Sequence, residues 1–355
     1  EKYITDVAWE NGWVKKITVN KEKKTSIGII GSGAWGTALA MAAHRAGNEV
    51  LIYARETHVV DAINRTFENT TFLPNISLDP NIKATSKLRD LSGSSIILLV
   101  PPAQFMRPTC ENLSEFCPNG TPLIICSKGI EEESGALMSE VVSEALPGMP
   151  IAILSGPTFA QEVAKNLPAA LTLSCDDETL AKVLLETLNS RFFRIYRSRD
   201  IIGPQIGGAV KNVLAIACGI IDGKQLGSNS KAAIMTRGLA EITRLGVSKG
   251  AKAETLFGLS GLGDLTLTCN DIKSRNFSLG VELGKGRELS KIIDERDSVA
   301  EGVYTASSVI SLAKKLNVDL PICSAVNDVL NHSLSSMEDH YLLSLCLMIQ
   351  MQKNH

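Results

Sequence analysis

The chain has 355 residues, of which 44% are hydrophobic and 21% are charged, and its formal net charge is −2. This length exceeds one ordinary hydrophobic core, so two domains are expected. The near-neutral charge and the 5% aromatic content argue against a nucleic-acid partner or an anionic membrane surface. No apolar run reaches the roughly 18 residues of a membrane-spanning helix, so we expect no membrane span.

Cysteine and histidine usage points to an intracellular protein without a metal site. The eight cysteines form no Cys-x-x-Cys pair, and the five histidines show no metal-ligand spacing. We therefore expect reduced thiols, a cytoplasmic location and no bound metal. Residues 1–25 lack the apolar core of a signal peptide and are treated as an extension of unknown role. The apolar segment 341–352 is short, which favours a docking helix over an anchor.

The first strong motif lies within residues 26–56. An apolar run at 27–30 is followed by the glycine-rich segment "GSGAWG", then by a helical run that ends at Gly47, then by the apolar run "EVLIYAR". The glycines Gly31, Gly33 and Gly36 have the G-x-G-x-x-G spacing of a dinucleotide-binding strand–helix–strand unit. Gly31 allows the tight turn, Gly33 lets a pyrophosphate approach the backbone, and Gly36 lets helix and strand pack closely.

The end of the second apolar run bears on the choice of cofactor. An acidic residue at this place accepts hydrogen bonds from the ribose 2′-hydroxyl of NAD, whereas an arginine suits the 2′-phosphate of NADP. Arg55 stands there, and Glu56 follows it. The sequence therefore favours NADP, or both cofactors. The alternative is that Arg55 is a solvated loop charge.

Further short apolar runs predict a mostly parallel sheet covered by helices. They lie at residues 95–100, 122–127, 150–156, 170–175 and 192–198. Ligands of such sheets bind outside the carboxyl ends of the strands. Lys128, in "SKG" directly after the second of these runs, is therefore a candidate for the cleft. The alternative is a surface lysine in a turn.

From about Gly203 onward the pattern becomes helical. Residues 204–223 are apolar on almost every face, which indicates a buried helix, yet Lys211 lies in its middle. Burial lowers the pKa of a lysine, and such a lysine can act as a general acid or base. The alternative is a lysine that snorkels to solvent or joins a structural ion pair.

A second unusual stretch spans residues 258–276, where glycines surround one acid. Asp264 could pair with Lys211 and orient it, and Thr268 is a further polar residue nearby. Arg275 with Asn276 could bind a phosphate or a carboxylate. Here too an ordinary polar loop before a helix is the alternative. Glu301 is expected to be an acid in the first turn of a later helix, unless the cofactor reaches it.

Taken together, the motifs resemble the NAD(P)-dependent sn-glycerol-3-phosphate dehydrogenases of the soluble bacterial type. The resemblance spans roughly residues 26–325. It is carried, in family order, by "GSGAWGTALA" (31–40), "SKGIE" (127–131), "SGPTFAQEVA" (155–164), "AVKNVLAIACGI" (209–220), "GLGDLTLTC" (261–269), "SRNFSLG" (274–280) and "AEGV" (300–303).

The resemblance implies a reversible hydride transfer between NAD(P)H and C2 of dihydroxyacetone phosphate, giving sn-glycerol 3-phosphate for phospholipid synthesis. It implies that Lys211 exchanges a proton with the C2 oxygen, with Lys128 and Asp264 beside it. The other positions that match family cofactor contacts are Ala34, Trp35, Arg55, Lys128, Ala160, Arg275, Val299 and Glu301. The positions that match substrate contacts are Lys128, Gly156, Thr158, Lys211, Asp264, Ser274, Arg275 and Asn276.

The expected architecture is an α/β Rossmann-like domain with a mostly parallel sheet at 26–202, followed by an all-α substrate domain at 203–355. We expect a small-molecule substrate, NADP or NAD as cofactor, and a homodimer. Two other functions stay open. One is a β-hydroxyacid-type dehydrogenase, which would favour a carboxylate substrate. The other is a protein that senses NAD(P)(H) without turnover, which would need the glycine turn but not Lys128, Lys211 and Asp264 together.

Overall fold

A computed structural model describes residues 6–10, 13–17, 24–296 and 300–331. Within the first 25 residues, β1 (Asp6–Glu10) pairs antiparallel with β2 (Trp13–Ile17), with Asp6 opposite Ile17. Part of the extension thus forms a hairpin, which its mixed charge pattern did not predict. The expectations for Val299 and for the apolar segment 341–352 fall outside the described residues.

The centre of the first half is an eight-stranded sheet with the order β12-β11-β10-β9-β8-β3-β4-β7. Its strands are β3 (Ser26–Ile30), β4 (Glu49–Tyr53), β7 (Lys83–Thr85), β8 (Ile96–Leu99), β9 (Leu123–Ile125), β10 (Ile151–Ser155), β11 (Ala169–Ser174) and β12 (Phe193–Ser198). The strands from β7 to β10 run parallel, and β11 is antiparallel to β10 but parallel to β12. A separate ribbon pairs β5 (Glu68–Asn69) with β6 (Leu73–Ser77).

Helices cover both faces of this sheet because its strands are apolar on both sides. Along β8, Ile96 and Leu98 join one buried cluster, whereas Ile97 and Leu99 join the other. The first face carries α1 (Ala34–Arg45), α2 (Thr57–Thr66), α5 (Ala160–Ala164) and α6 (Glu178–Leu188). The opposite face carries α3 (Met106–Ser114) and α4 (Met138–Ala145). The alternation follows from the period of two along a strand.

The second half is helical and is built around α7 (Gly203–Gly223). By length and composition α7 could cross a membrane, but 89% of its apolar window is buried inside the protein, as in the core helix of a folded domain. Around it lie α8 (Gly227–Lys249), α9 (Ala253–Leu256), α10 (Asp264–Asn270), α11 (Arg275–Gly284), α12 (Leu289–Asp294), α13 (Glu301–Lys315) and α14 (Pro321–Asn331).

Glycines bring α7 and α11 into backbone contact. A Cβ added at Gly219 would lie 2.1 Å from the carbonyl oxygen of Phe277, and one added at Gly280 would lie 2.2 Å from that of Ile216. Neither position can hold a side chain unless the helices separate. The close crossing fixes the start of α11, where Arg275 lies, relative to Lys211 on α7.

The sheet with its covering helices and the helical second half confirm the expected fold class. The domain limits at 26–202 and 203–355 stay a prediction. In their favour, α7 begins at Gly203 and β12 ends at Ser198.

Candidate active site

The glycine turn between β3 and α1 has one closed side and one open side. Gly31 has a φ of 117°, and a Cβ there would lie 2.6 Å from the carbonyl oxygen of Val100. A Cβ at Gly36 would lie 1.9 Å from the carbonyl oxygen of Gly31. Around Gly33, in contrast, no heavy atom lies within 4 Å of an added Cβ. The backbone is thus packed where helix meets strand and open where a phosphate would approach.

Unused hydrogen-bond donors at this turn fit a dinucleotide. Within the part of the chain that the structure describes, the buried indole Nε1 of Trp35 has no hydrogen-bond partner. Gly33 also gives α1 no side-chain cap, so the first N–H groups of this helix remain for an anion. Ala34, Trp35 and Ala160 pack against the same buried cluster, which places three of the expected cofactor positions on one face of the sheet.

Arg55 follows β4 at the same edge of the sheet, but its guanidinium already has a partner. Its Nε and Nη2 donate to Oε1 of Glu56 over 3.1 and 2.8 Å. The Arg55 side chain is 78% exposed. A 2′-phosphate would therefore compete with the neighbouring carboxylate, and the preference for NADP stays a prediction.

Lys128 extends from the carboxyl end of β9 towards the helical half. Its Nζ donates to Oδ2 of Asp264 over 2.6 Å and to the carbonyl oxygen of Gly156, after β10, over 3.4 Å. The hydroxyl of Thr158 also donates to the Gly156 carbonyl, over 3.4 Å. A Cβ at Gly208 of α7 would lie 3.3 Å from Cγ of Lys128, so the missing side chain there makes room for the lysine stem.

Asp264 is the centre of the site. Its Oδ1 accepts from Nζ of Lys211 over 2.5 Å, while its Oδ2 accepts from Lys128. Lys211 also donates to Oγ1 of Thr268 over 2.8 Å, and the Thr268 hydroxyl donates to the Asp264 carbonyl over 2.7 Å. Asp264 is fully buried, and Lys211 nearly so. The predicted pairing of Lys211 with Asp264 is confirmed, and a second lysine joins it.

Two ammonium groups share one carboxylate here, and their charges affect the pKa values of Lys211 and Asp264. Burial lowers the pKa of Lys211 to about 8, and the charge of Lys128 acts in the same direction while Asp264 opposes both. Burial acts to raise the pKa of Asp264, but the two ammonium groups outweigh it and hold that pKa below its usual value. The cluster therefore keeps its carboxylate ionised and leaves Lys211 able to gain or lose a proton near neutral pH.

The remaining expected contacts lie at the starts of α11 and α13. Ser274 caps α11, since its Oγ accepts from the backbone N–H of Phe277 over 3.2 Å. Oδ1 of Asn276 accepts from the backbone N–H of Gly302 over 2.9 Å, which ties α11 to α13. The starts of α11 and α13 are therefore in direct contact.

Glu301, the first residue of α13, lies within the electrostatic reach of the site. Burial raises its pKa, whereas the charges of Arg275, Lys128 and Lys211 act to lower it. Direct hydrogen bonds thus join residues from four separate segments, Lys128, Gly156, Lys211 and Asp264.

Two features of the site were not predicted from the sequence. Thr268 was noted only as polar, although its spacing of four residues from Asp264 on a helix places both side chains on one face. The bond between Lys128 and Asp264 joins residues 136 positions apart, and no local pattern signals it.

Comparison with known proteins decides the family. A family model described as NAD-dependent glycerol-3-phosphate dehydrogenase N-terminus matches residues 26–181, and the corresponding C-terminus model matches residues 200–339. The chain belongs to the NAD-dependent glycerol-3-phosphate dehydrogenase family. The predicted family resemblance is thereby confirmed.

Individual glycerol-3-phosphate dehydrogenases match over most of the chain. The [NAD(P)+] enzyme of Rhodospirillum rubrum is 55% identical over 306 residues, which cover 86% of this chain and 88% of that protein. The glycerol-3-phosphate dehydrogenase of Caulobacter vibrioides is 53% identical over 307 residues, which cover 86% of this chain and 92% of that protein. The crystal structure of the Coxiella burnetii glycerol-3-phosphate dehydrogenase superposes with a TM-score of 0.85 at 39% identity, covering 88% of this chain and 96% of that one.

Proposed function

We propose that this protein catalyses the reversible NAD(P)H-dependent reduction of dihydroxyacetone phosphate to sn-glycerol 3-phosphate. The observation that carries the proposal is the buried cluster of Asp264 with Lys211 and Lys128, at the edge of the sheet that also bears the glycine turn. Relatives of the same family that are named as NAD(P)+ enzymes support it. A sensor of NAD(P)(H) would have no need of two lysines held on one buried acid.

The lysines would act on the carbonyl oxygen of the substrate. A bound NAD(P)H would supply the hydride for C2, and negative charge would then develop on the carbonyl oxygen. Lys211 donates a proton from Nζ to that oxygen, for which its lowered pKa suits it. Lys128 would lie beside the oxygen and stabilise the charge as it develops. Asp264 holds both ammonium groups in place, and in the reverse direction neutral Lys211 takes the proton back.

The substrate phosphate would lie at the start of α11. Arg275 is the first residue of that helix, where its guanidinium and the positive end of the helix dipole together favour an anion. Ser274 and Asn276 flank it, and both are already oriented by their own hydrogen bonds. Gly156 and Thr158 would contact the substrate from the sheet side, next to Lys128.

The glycine turn would hold the dinucleotide. Gly31 and Gly36 keep the turn tight, and Gly33 leaves the open approach for the pyrophosphate. Ala34, Trp35 and Ala160 would contact the cofactor on the face of α1, and Glu301 would contact it from the start of α13. Arg55 would contact a 2′-phosphate if NADP is bound. We further propose a cytoplasmic homodimer that supplies the backbone of glycerophospholipids.

The test is a spectrophotometric assay of dihydroxyacetone phosphate reduction, with NADPH and NADH side by side. We expect fast oxidation of at least one cofactor, and none when unphosphorylated dihydroxyacetone replaces the substrate. Folded protein that binds cofactor but leaves dihydroxyacetone phosphate unreduced would contradict the proposal.

A variant separates chemistry from binding in the same assay. We expect Lys211→Met to lose turnover by about 10²- to 10⁴-fold, the usual contribution of a general acid, while a fluorescence titration shows unchanged cofactor affinity. Near-native turnover in this variant would refute the assignment of Lys211 as proton donor.

A further inference from the structure

Lys273 lies in the short turn between α10 and α11, directly before the segment Ser274–Asn276. The turn is held by Asp271, whose Oδ1 accepts from the backbone N–H of Lys273 over 2.8 Å. The Asp271 carbonyl accepts from the backbone N–H of Ser274 over 2.9 Å. A displacement of Lys273 would therefore be transmitted to the residues proposed to bind the substrate phosphate.

The Lys273 side chain crosses to the other half of the protein. Its Nζ donates to Oε1 of Glu162 on α5 over 3.0 Å and lies 5.6 Å from the centroid of the Phe159 ring. Two contacts thus hold one ammonium group against α5 and the residue before it, and the same Nζ lies 3.8 Å from Oδ2 of Asp271 in its own turn. Such a site combines an ion pair with a cation–π contact.

The helix that receives Lys273 is itself joined to the glycine-turn helix. Arg45, at the end of α1, donates from Nη1 to the Ala164 carbonyl over 3.0 Å and from Nη2 to the Val163 carbonyl over 2.5 Å. These carbonyls lie at the carboxyl end of α5. A continuous set of contacts therefore runs from the segment after Lys273, through α5, to the helix that begins at the cofactor turn.

This link lies on the opposite side of the sheet from other polar contacts between the halves. Those contacts join the helical half to α4 and to the loop before it, on the second face of the sheet. They are Lys249 Nζ to Glu140 Oε1 at 2.6 Å, Lys315 Nζ to the Ser134 carbonyl at 2.6 Å, and Ser307 Oγ to Glu132 Oε1 at 3.0 Å. α5 belongs to the first face, so Lys273 ties the halves together where the cofactor turn lies.

We propose that Lys273 is a positioning residue that holds Ser274–Asn276 against α5 through Glu162 and Phe159, and so sets the affinity for the substrate phosphate. The inference rests on the proposed function. It predicts an effect on KM for dihydroxyacetone phosphate, with kcat little changed, because Lys211 and Asp264 are held by separate bonds.

A rival explanation is that the charge of Lys273 attracts the dianionic substrate through its field alone. Glu162→Gln separates the two accounts by the sign of its effect. Removal of the acid next to Lys273 would lower KM for dihydroxyacetone phosphate if only the field mattered. If Glu162 holds Lys273 in place, the same change raises KM.

The experiment is a steady-state measurement of KM and kcat at saturating NADPH for four variants: Glu162→Gln, Lys273→Met, Lys273→Glu and the charge swap Lys273→Glu with Glu162→Lys. We expect KM for dihydroxyacetone phosphate to rise about threefold in the first two and about fivefold in Lys273→Glu, the latter equivalent to about 1 kcal/mol. The charge swap should return KM to within about twofold of the unmodified enzyme, and kcat should stay within about twofold throughout.

The matched control is Lys285→Glu, which makes the same charge change in a lysine whose partner, Glu282, lies in the same half at 2.9 Å. It should leave KM for dihydroxyacetone phosphate unchanged. All variants should have the same melting temperature as the unmodified protein. An unchanged or lower KM in Glu162→Gln, or a swap as impaired as Lys273→Glu, would overturn the proposal. Failure of the proposed function would be distinguishable, because the unmodified enzyme would then not reduce dihydroxyacetone phosphate.

Discussion

The two halves of the protein contribute to the candidate active site by different means. The α/β half presents backbone at the glycine turn, with its approach open at Gly33 and the start of α1 uncapped by a side chain. The helical half presents charged side chains that are almost fully buried, Lys211 and Asp264. Only Lys128, at the end of β9, brings a charge from the sheet into the Asp264 cluster as the structure describes it.

The two halves should therefore be sensitive to different perturbations. Backbone donors carry no titrating group, so the glycine turn is sensitive to added volume and insensitive to pH. Buried charges are sensitive to the loss of a partner and to protonation.

Asp264→Asn should cause the largest loss. It leaves Lys128 and Lys211 as neighbouring cations without their shared carboxylate. Breaking a buried pair in this way costs about 3–5 kcal/mol of unfolding free energy. We expect kcat to fall by about 10²- to 10⁴-fold, measured together with stability by urea denaturation. Asp222→Asn, at an exposed acid paired with Lys231, is the control, and retention of a tenth of the turnover by Asp264→Asn would contradict the account.

Two alanine substitutions in the glycine turn should differ in kind. Gly36→Ala places a Cβ against the Gly31 carbonyl, so it should destabilise the fold as well as abolish cofactor binding. Gly33→Ala meets open space, so its melting temperature should be unchanged while the Kd for NADPH rises about tenfold or more, the loss of a charge-assisted hydrogen bond. Calorimetry and fluorescence titration measure the two effects. Equal losses of stability would refute the open approach at Gly33.

Thr268→Val tests the hydrogen bond that the hydroxyl accepts from Lys211. The isosteric change removes an acceptor from a buried ammonium group, so the pKa of Lys211 should fall further and kcat should drop about tenfold. Thr268→Ser keeps the hydroxyl and should retain most of the activity. If valine and serine behave alike in kcat, the bond to Lys211 has no part in the reaction.

Arg55→Ala should give the smallest effect. The side chain is 78% exposed and bound to Glu56, so its attraction for a 2′-phosphate is screened by solvent. We expect kcat/KM with NADPH to fall about fivefold and that with NADH to stay unchanged. Unaltered efficiency with both cofactors would remove the basis for a preference for NADP.

Local patterns were sufficient for the backbone contribution to the cleft. The strand, the three glycines and the helix lie within one short stretch, and the spacing alone indicates which glycine packs and which stays open. The partner of Arg55 is its neighbour Glu56, and the sequence showed both residues but not their bond.

The charged cluster was predictable only in part. A lysine inside an apolar helix and an acid among glycines pointed to Lys211 and Asp264, and their pairing is confirmed. Lys128 reaches the same acid from 136 residues away, and Lys273 reaches Glu162 across 111. These contacts depend on how the helical half packs against the sheet, which no short segment specifies.

Lys211, with its pKa lowered to about 8 by burial, is proposed to be both the proton donor and the proton acceptor. The most direct test is the single-turnover rate of hydride transfer in both directions between about pH 6 and pH 10. Reduction needs the protonated lysine, so its rate should fall about tenfold per unit above pH 8, whereas oxidation needs the neutral lysine and should fall likewise below pH 8. Rates that stay flat across this range in both directions would contradict the claim.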